Sequence, residues 1–115
     1  MKGPGDVFGL EVSHNELLDD SPGVAVKASQ GLVYGWHIKN NDPTACYVQF
    51  FNAAAVGDVS LGTTTPKLSI GIEASGKAEA SLAKPIIFDT GIVIFSTETS
   101  GGSTAAVCDA DIFFA

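Results

Sequence analysis

Residues 32–51, LVYGWHIKNNDPTACYVQFF, carry the reading that decides the fold. Leu32, Tyr34, Trp36 and Ile38 form one side of a period-two alternation, with Val33, Gly35 and His37 opposite. The run breaks at KNNDPT, because Asn, Asp and Pro favour a turn. It resumes with Cys46, Val48 and Phe50 alternating with Tyr47, Gln49 and Phe51. An extended backbone sends successive side chains to opposite faces, so period two over this length predicts half-buried strands.

The pattern extends both ways. Upstream, Val24, Val26 and Ala28 share a face, with Lys27 and Ser29 opposite. Downstream, residues 52–66 are small and polar and predict a long loop with a short edge strand. Leu68, Ile70 and Ile72 then alternate with Ser69, Gly71 and Glu73, before a turn at Ser75-Gly76. Ala78, Ala80 and Leu82 alternate with Lys77, Glu79 and Ser81. Their composition suits a helix, but the period and the neighbouring strands predict a strand, closed by Pro85. In IIFDTGIVIFSTET (86–99), Ile92 and Ile94 face one way and Val93 and Phe95 the other, so both faces are expected to be covered. SGGST turns the chain into a last strand at 107–114. Cys108, Ala110, Ile112 and Phe114 form its apolar face, with Asp109, Asp111 and Phe113 opposite.

Residues 1–23 hold Gly3, Pro4, Gly5, Gly9, Pro22 and Gly23 and are the least regular part. A short strand is expected at Val7–Val12 and one helical turn in HNELLDD (14–20). The segment reads as an N-terminal arm or strap, ahead of a domain at 24–115. The fold class that follows is all-β, an antiparallel β-sandwich or small jelly roll of seven to eight strands. Both cysteines lie C-terminal to the Trp, which does not match an antibody-like Cys…Trp…Cys order.

Composition bounds the function. The chain has 115 residues, which suits one domain. It is 45% hydrophobic and only 17% charged, so a partner is expected to cover part of its surface. Thirteen acidic residues against six basic ones, all Lys, give a net charge of -7. Nucleic-acid binding needs a basic footprint, and an anionic membrane surface repels such a chain. Neither partner is expected. The N-terminus MKGPGDVFGLEV lacks the apolar core of a signal peptide, so synthesis in a cytoplasm is expected.

The catalytic inventory is thin. His14 reads as a surface residue and His37 as a partly buried one beside the Trp36 face. Neither falls in an H-E-x-x-H or H-x-x-E-H motif. Asp109 and Asp111 point the same way about 7 Å apart. Such a pair can serve glycoside hydrolysis or a cation site, but it also suits a solvated sheet face that resists stray edge pairing. Cys46 and Cys108 fall on core faces and read as reduced, structural thiols. No catalytic residue, cofactor or metal site is assigned. Tyr47, Phe51, Val93, Phe95 and Phe113 remain. They lie opposite the core faces of their strands and are the candidate residues of a homo-oligomeric or capsid contact. The other reading of that face is a cover made by residues 1–23 and 52–66.

A resemblance adds to this. VAVKASQGLVYGWHIKNNDPTACYVQFFN (24–52) and VGDVSLGTTTPKLSIGIEASGK (56–77) resemble small β-rich proteins encoded among phage and prophage virion genes. Those read V-K-x-S-x-G-x-L-Y-G, an alternating strand, Y-x-x-F/Y-x-x-A, G-x-x-x-P, and later a G-I/L-x-I/V strand like TGIVIFST here. The likeness covers residues 24–97 and departs at QGLVYG. It is a likeness of strands and turns and transfers no functional residue. It implies a structural, non-enzymatic virion protein made in the bacterial host cytoplasm. A head decoration (cement) protein is implied first, held as a homo-oligomer, with a trimer favoured, on the major capsid protein. Tail or fibre attachment, or a carbohydrate- or receptor-binding sandwich, is the alternative.

Overall fold

The computed structural model describes residues 10–18, 23–104 and 106–115, with the side chain of Leu17 excepted. Among the described residues eight strands follow one another: β1 (Glu11–Leu18), β2 (Val24–Lys27), β3 (Gly31–Lys39), β4 (Cys46–Asn52), β5 (Leu68–Ile72), β6 (Lys77–Phe88), β7 (Ile92–Thr97) and β8 (Cys108–Phe114). One sheet has the order β1-β8-β3-β6 and the other β2-β7-β4-β5, and every neighbouring pair is antiparallel. The chain is thus a long double strand folded at the β4–β5 connection, with first pairing eighth, second seventh, third sixth and fourth fifth. Successive pairs alternate between sheets, which is the jelly-roll form of a sandwich.

The main core lies between the sheets. Val33, Trp36, Ile38, Phe88, Ala110, Ile112 and Phe114 come from the first sheet. Cys46, Val48, Phe50, Ile72, Ile92 and Ile94 meet them from the second. Phe50 is the keystone, with ring centroids 5.8 Å from Trp36 and 6.4 Å from Phe88. Alternation places β4 and β8 as the sequence predicts, and Lys77–Leu82 is strand rather than helix.

Several expectations are corrected. Of HNELLDD, residues 14–18 continue β1 as strand and form no helical turn, and Asp19 and Asp20 lie outside the described residues. β1 pairs with β8 along the edge of the first sheet, so residues 11–18 belong to the sandwich and are not a strap. The expected strand at Val7–Val12 overlaps β1 only at Glu11 and Val12, and residues 7–9 lie outside the described part. Residues 52–66 contain a single 3-10 turn at Val56–Asp58 instead of an edge strand.

In β3 the phase changes. Val33 and Trp36 both face the core, because the register shifts between Val33 and Gly35 against both neighbours. This β-bulge turns Leu32 and Tyr34 outward, against the even alternation read from the sequence. β6 does not end at Pro85 but runs on to Phe88. Proline is tolerated there because β6 is an edge strand and the register is irregular at that point.

Asn40 explains the KNNDPT turn. It is fully buried, and its Nδ2 donates to the carbonyls of Thr44 (2.8 Å), Glu73 (3.1 Å) and Ile72 (3.4 Å). Its Oδ1 accepts from the Asp42 N–H at 3.0 Å. One side chain therefore ties the β3–β4 turn to the end of β5.

Candidate functional site

The outer face of the second sheet is closed by the chain itself. Phe51, Ala53, Val93 and Phe95 form a second small core, against which Val56, Val59 and Leu61 of the long loop pack. Phe51 and Phe95 meet edge to face at 5.8 Å and 90°. Farther along, Gln49 is fully buried, and its Nε2 donates to Thr97 Oγ1 (2.6 Å) and to the Gly102 carbonyl (3.1 Å). The 98–104 turn is thereby pinned over the sheet. Phe51, Val93 and Phe95 are thus removed from the candidate contact surface. Their burial is satisfied by the 53–61 loop, because that loop carries its own apolar residues at a reachable distance in sequence. Tyr47 is half-buried and lies on the same sheet beside Gly71. Phe113 belongs to the other sheet altogether.

That other outer face carries both histidines. Cross-strand register places His14 of β1 opposite Asp111 of β8, Asp111 opposite His37 of β3, and His37 opposite Glu79 of β6. Imidazole and carboxylate therefore alternate across all four strands. His14 Nδ1 hydrogen-bonds Asp111 Oδ1, and its Nε2 lies 3.2 Å from Glu16 Oε1. His37 Nε2 is 3.6 Å from Glu79 Oε1 and its Nδ1 is 4.0 Å from Asp111 Oδ2. Lys77 joins the row through Glu79 at 3.2 Å. Beside the row is a hollow of about 440 Å³ lined by Trp36, His37, Glu79, Ala80, Ser81, Asp111 and Phe113. Gly35 faces Ser81 and Phe113 across its strand neighbours and adds no side chain there.

The electrostatics of His14 follow from its partners. Both ring nitrogens face carboxylates, and only the imidazolium can donate from both. Hydrogen bonds first to Asp111 and then to Glu16 raise its pKa above 6.5. A raised pKa means the pairing stabilises the fold below about pH 6.5 and is lost as pH climbs through the folded-state value. The β1 edge is therefore expected to be weaker in alkaline buffer. The measurement is the melting temperature of wild type minus that of His14→Gln, compared at about pH 6 and about pH 8. The gap should shrink at the higher pH. A constant gap would mean that the pair is not titrating. The effect is small, since the His14 side chain is 60% exposed.

The row was not legible in sequence. His37 is partly buried on the outer side of β3, and Trp36 lines the same hollow. His14 and Asp111 are 97 residues apart, and nothing local announces their pairing. The only available signal was that His37 and Asp111 each point outward from their strands. Asp109 and Asp111 do share the outer side of β8, and Asn41 Nδ2 reaches Asp109 Oδ2 at 3.4 Å. Among the described residues, no three His, Cys, Asp or Glu side chains are placed to hold a metal ion. Also among them, no helix is long and apolar enough to cross a membrane.

Comparison of the chain with protein-family models, curated proteins and solved structures finds no match.

Proposed function

We propose that this protein is a non-enzymatic structural component of a virus particle, a head decoration or cement protein seated on the major capsid protein. One observation carries the reading: the large apolar side chains left exposed on the edge strands of the β1-β8-β3-β6 sheet and just before β1. Val12 is 59% exposed, Ile87 50% and Leu10 45%. Val12 of one edge strand pairs with Phe113, and Ile87 of the other edge strand pairs with Leu32, so exposed apolar residues stand on both edges of this sheet. Large apolar side chains left exposed beside polar ones suit a protein–protein contact. It replaces the contact first expected around Phe51, Val93 and Phe95, while Phe113 stays in it. The jelly-roll connectivity supports the reading because capsid proteins use it widely, but lectins use it too, so fold alone does not choose. The likeness of residues 24–97 to phage virion proteins adds the same direction. A trimer is the expected form, made in the bacterial host cytoplasm and then mounted on the virion. Tail or fibre attachment would use the same surface.

The second reading, a carbohydrate- or receptor-binding module, is favoured by the hollow, where Phe113 sits near His37, Glu79, Ser81 and Asp111. Particles isolated from the native source separate the two. Wild-type protein should co-sediment with intact heads through a density gradient. Val12→Asp with Ile87→Asp should weaken attachment by about tenfold or more, with an unchanged β spectrum and melting temperature, since both sites are exposed. Absence from heads, or undiminished attachment of the double variant, would overturn the proposal.

A further inference from the structure

The hollow on the β1-β8-β3-β6 sheet lies where that sheet is irregular. Gly35 of β3 pairs with Ser81, but Val33 pairs with Ile86, so residues 82–85 of β6 leave the ladder. Ser81 is the last residue of β6 before the strand departs, and Gly35 beside it has no side chain to fill the space. The resulting volume of about 440 Å³ falls within the roughly 300–1,000 Å³ of small-molecule sites. Its lining is mixed in the way such sites require. Trp36 and Phe113 supply apolar surface, and His37, Glu79, Ser81 and Asp111 supply hydrogen-bonding groups. The side chains of His37, Glu79 and Asp111 are 45%, 50% and 30% exposed, so a solute reaches them.

We propose that this hollow binds one neutral pyranose ring of a glycan. His37 is the centre of the site. Its Nε2 stands 3.6 Å from Glu79 Oε1 and its Nδ1 4.0 Å from Asp111 Oδ2, both longer than a hydrogen bond. Imidazole and carboxylates therefore keep hydrogen-bonding capacity for a third party. A sugar hydroxyl both donates and accepts, so neighbouring hydroxyls satisfy the ring nitrogens and the carboxylate oxygens together. The Ser81 hydroxyl adds one more donor and acceptor. Phe113 offers the apolar surface that the C–H side of a pyranose covers. The charge of the ligand follows from the pairs already made. Asp111 Oδ1 is bonded by His14, and Glu79 Oε1 is 3.2 Å from Lys77 Nζ, so each carboxylate has a basic partner and a cationic ligand gains little. An acidic sugar would meet both carboxylates and a chain of net charge -7. The pyranose site rests on the carbohydrate-binding reading and is compatible with seating on a capsid.

Trp36 is the chain's single tryptophan and lines the hollow, so its fluorescence reports occupancy. The native chain is titrated with methyl glucoside, methyl galactoside and methyl mannoside, and in parallel with glucuronic acid and argininamide. At least one neutral glycoside should give a saturable change with a millimolar Kd. Glucuronic acid and argininamide should bind about tenfold or more weakly. Amide shifts in an NMR titration should cluster at Trp36, His37, Glu79, Ser81, Asp111 and Phe113. Glu79→Gln and Phe113→Ala should each weaken binding about tenfold, with the β spectrum unchanged. If Phe113→Ala does not fold, Glu79→Gln decides alone. Asp58→Asn, exposed in the 3-10 turn over the other sheet, should bind as wild type. Tighter binding of glucuronic acid would overturn the neutral ring while leaving a carbohydrate site, and tighter binding of argininamide would make it a cation site. No saturable response to any sugar at about 100 mM, a hundred times a 1 mM Kd, would overturn both the pyranose and the carbohydrate-binding reading. Binding that Glu79→Gln leaves unchanged, with amide shifts outside the hollow, would equally overturn the proposal.

Discussion

Phe95→Asp should leave the chain unfolded. Phe95 is 4% exposed, edge-on to Phe51 and roofed by Val56, Val59 and Leu61. The backbone also closes on the ring, since a Cβ at Gly23 would lie 2.6 Å from the Phe95 side chain. No cation is among the residues that form this small core, so an aspartate there would be buried without a partner. Such burial costs several kcal/mol, against a total stability of about 5–15 kcal/mol for a domain. The milder Phe51→Ala should cost about 3–5 kcal/mol through its cavity. Urea unfolding followed by circular dichroism checks both. If Phe95→Asp stayed folded and only changed the oligomeric state, the outer face of the β2-β7-β4-β5 sheet would be a contact surface after all.

Gly91→Ala should have the second largest effect. Gly91 enters β7 where the ends of β2 and β4 converge. A Cβ there would stand 2.4 Å from the Ala53 oxygen, 2.7 Å from the Lys27 oxygen and 2.9 Å from the Ala54 Cα. All three are backbone atoms, so no rotamer change relieves the clash. The site is further fixed by Asn52, whose Oδ1 accepts from the N–H of Thr90 at 2.8 Å and of Gly91 at 3.4 Å. The loss should be about 3 kcal/mol, near the upper end for an overpacked site. Gly57→Ala is the control. Its Cβ would meet nothing within 4 Å, so stability should change by no more than about 0.5 kcal/mol. Equal effects at the two positions would mean that the close approach at Gly91 is relieved by movement of the backbone.

The histidine row and the second core lay at different depths in the sequence. The two-sided character of β7 was visible in Ile92, Val93, Ile94 and Phe95, so a cover for its second face was required. Which segment supplies that cover was not visible. Val56, Val59 and Leu61 are scattered among Gly, Asp and Ser with no strand or helix period, because an irregular loop imposes none. The row of His14, Asp111, His37 and Glu79 needs four strands from distant parts of the chain to lie side by side. Each residue alone reads as an ordinary exposed polar position.

What the sequence determined by itself is therefore what one strand can state about itself. Alternation in β4 and β8 assigned Cys46, Val48, Phe50, Cys108, Ala110, Ile112 and Phe114 to the core, because side-chain direction in an extended chain is a local property. Turn residues such as those of KNNDPT marked where strands end for the same reason. Tertiary structure alone decided which strands pair, that Glu11–Leu18 completes a sheet edge, and that the bulge after Val33 turns Leu32 and Tyr34 outward. Those outcomes are settled by hydrogen bonds and packing between segments far apart in the chain. No local pattern records them: a strand's own residues are compatible with several neighbours until the whole core is filled.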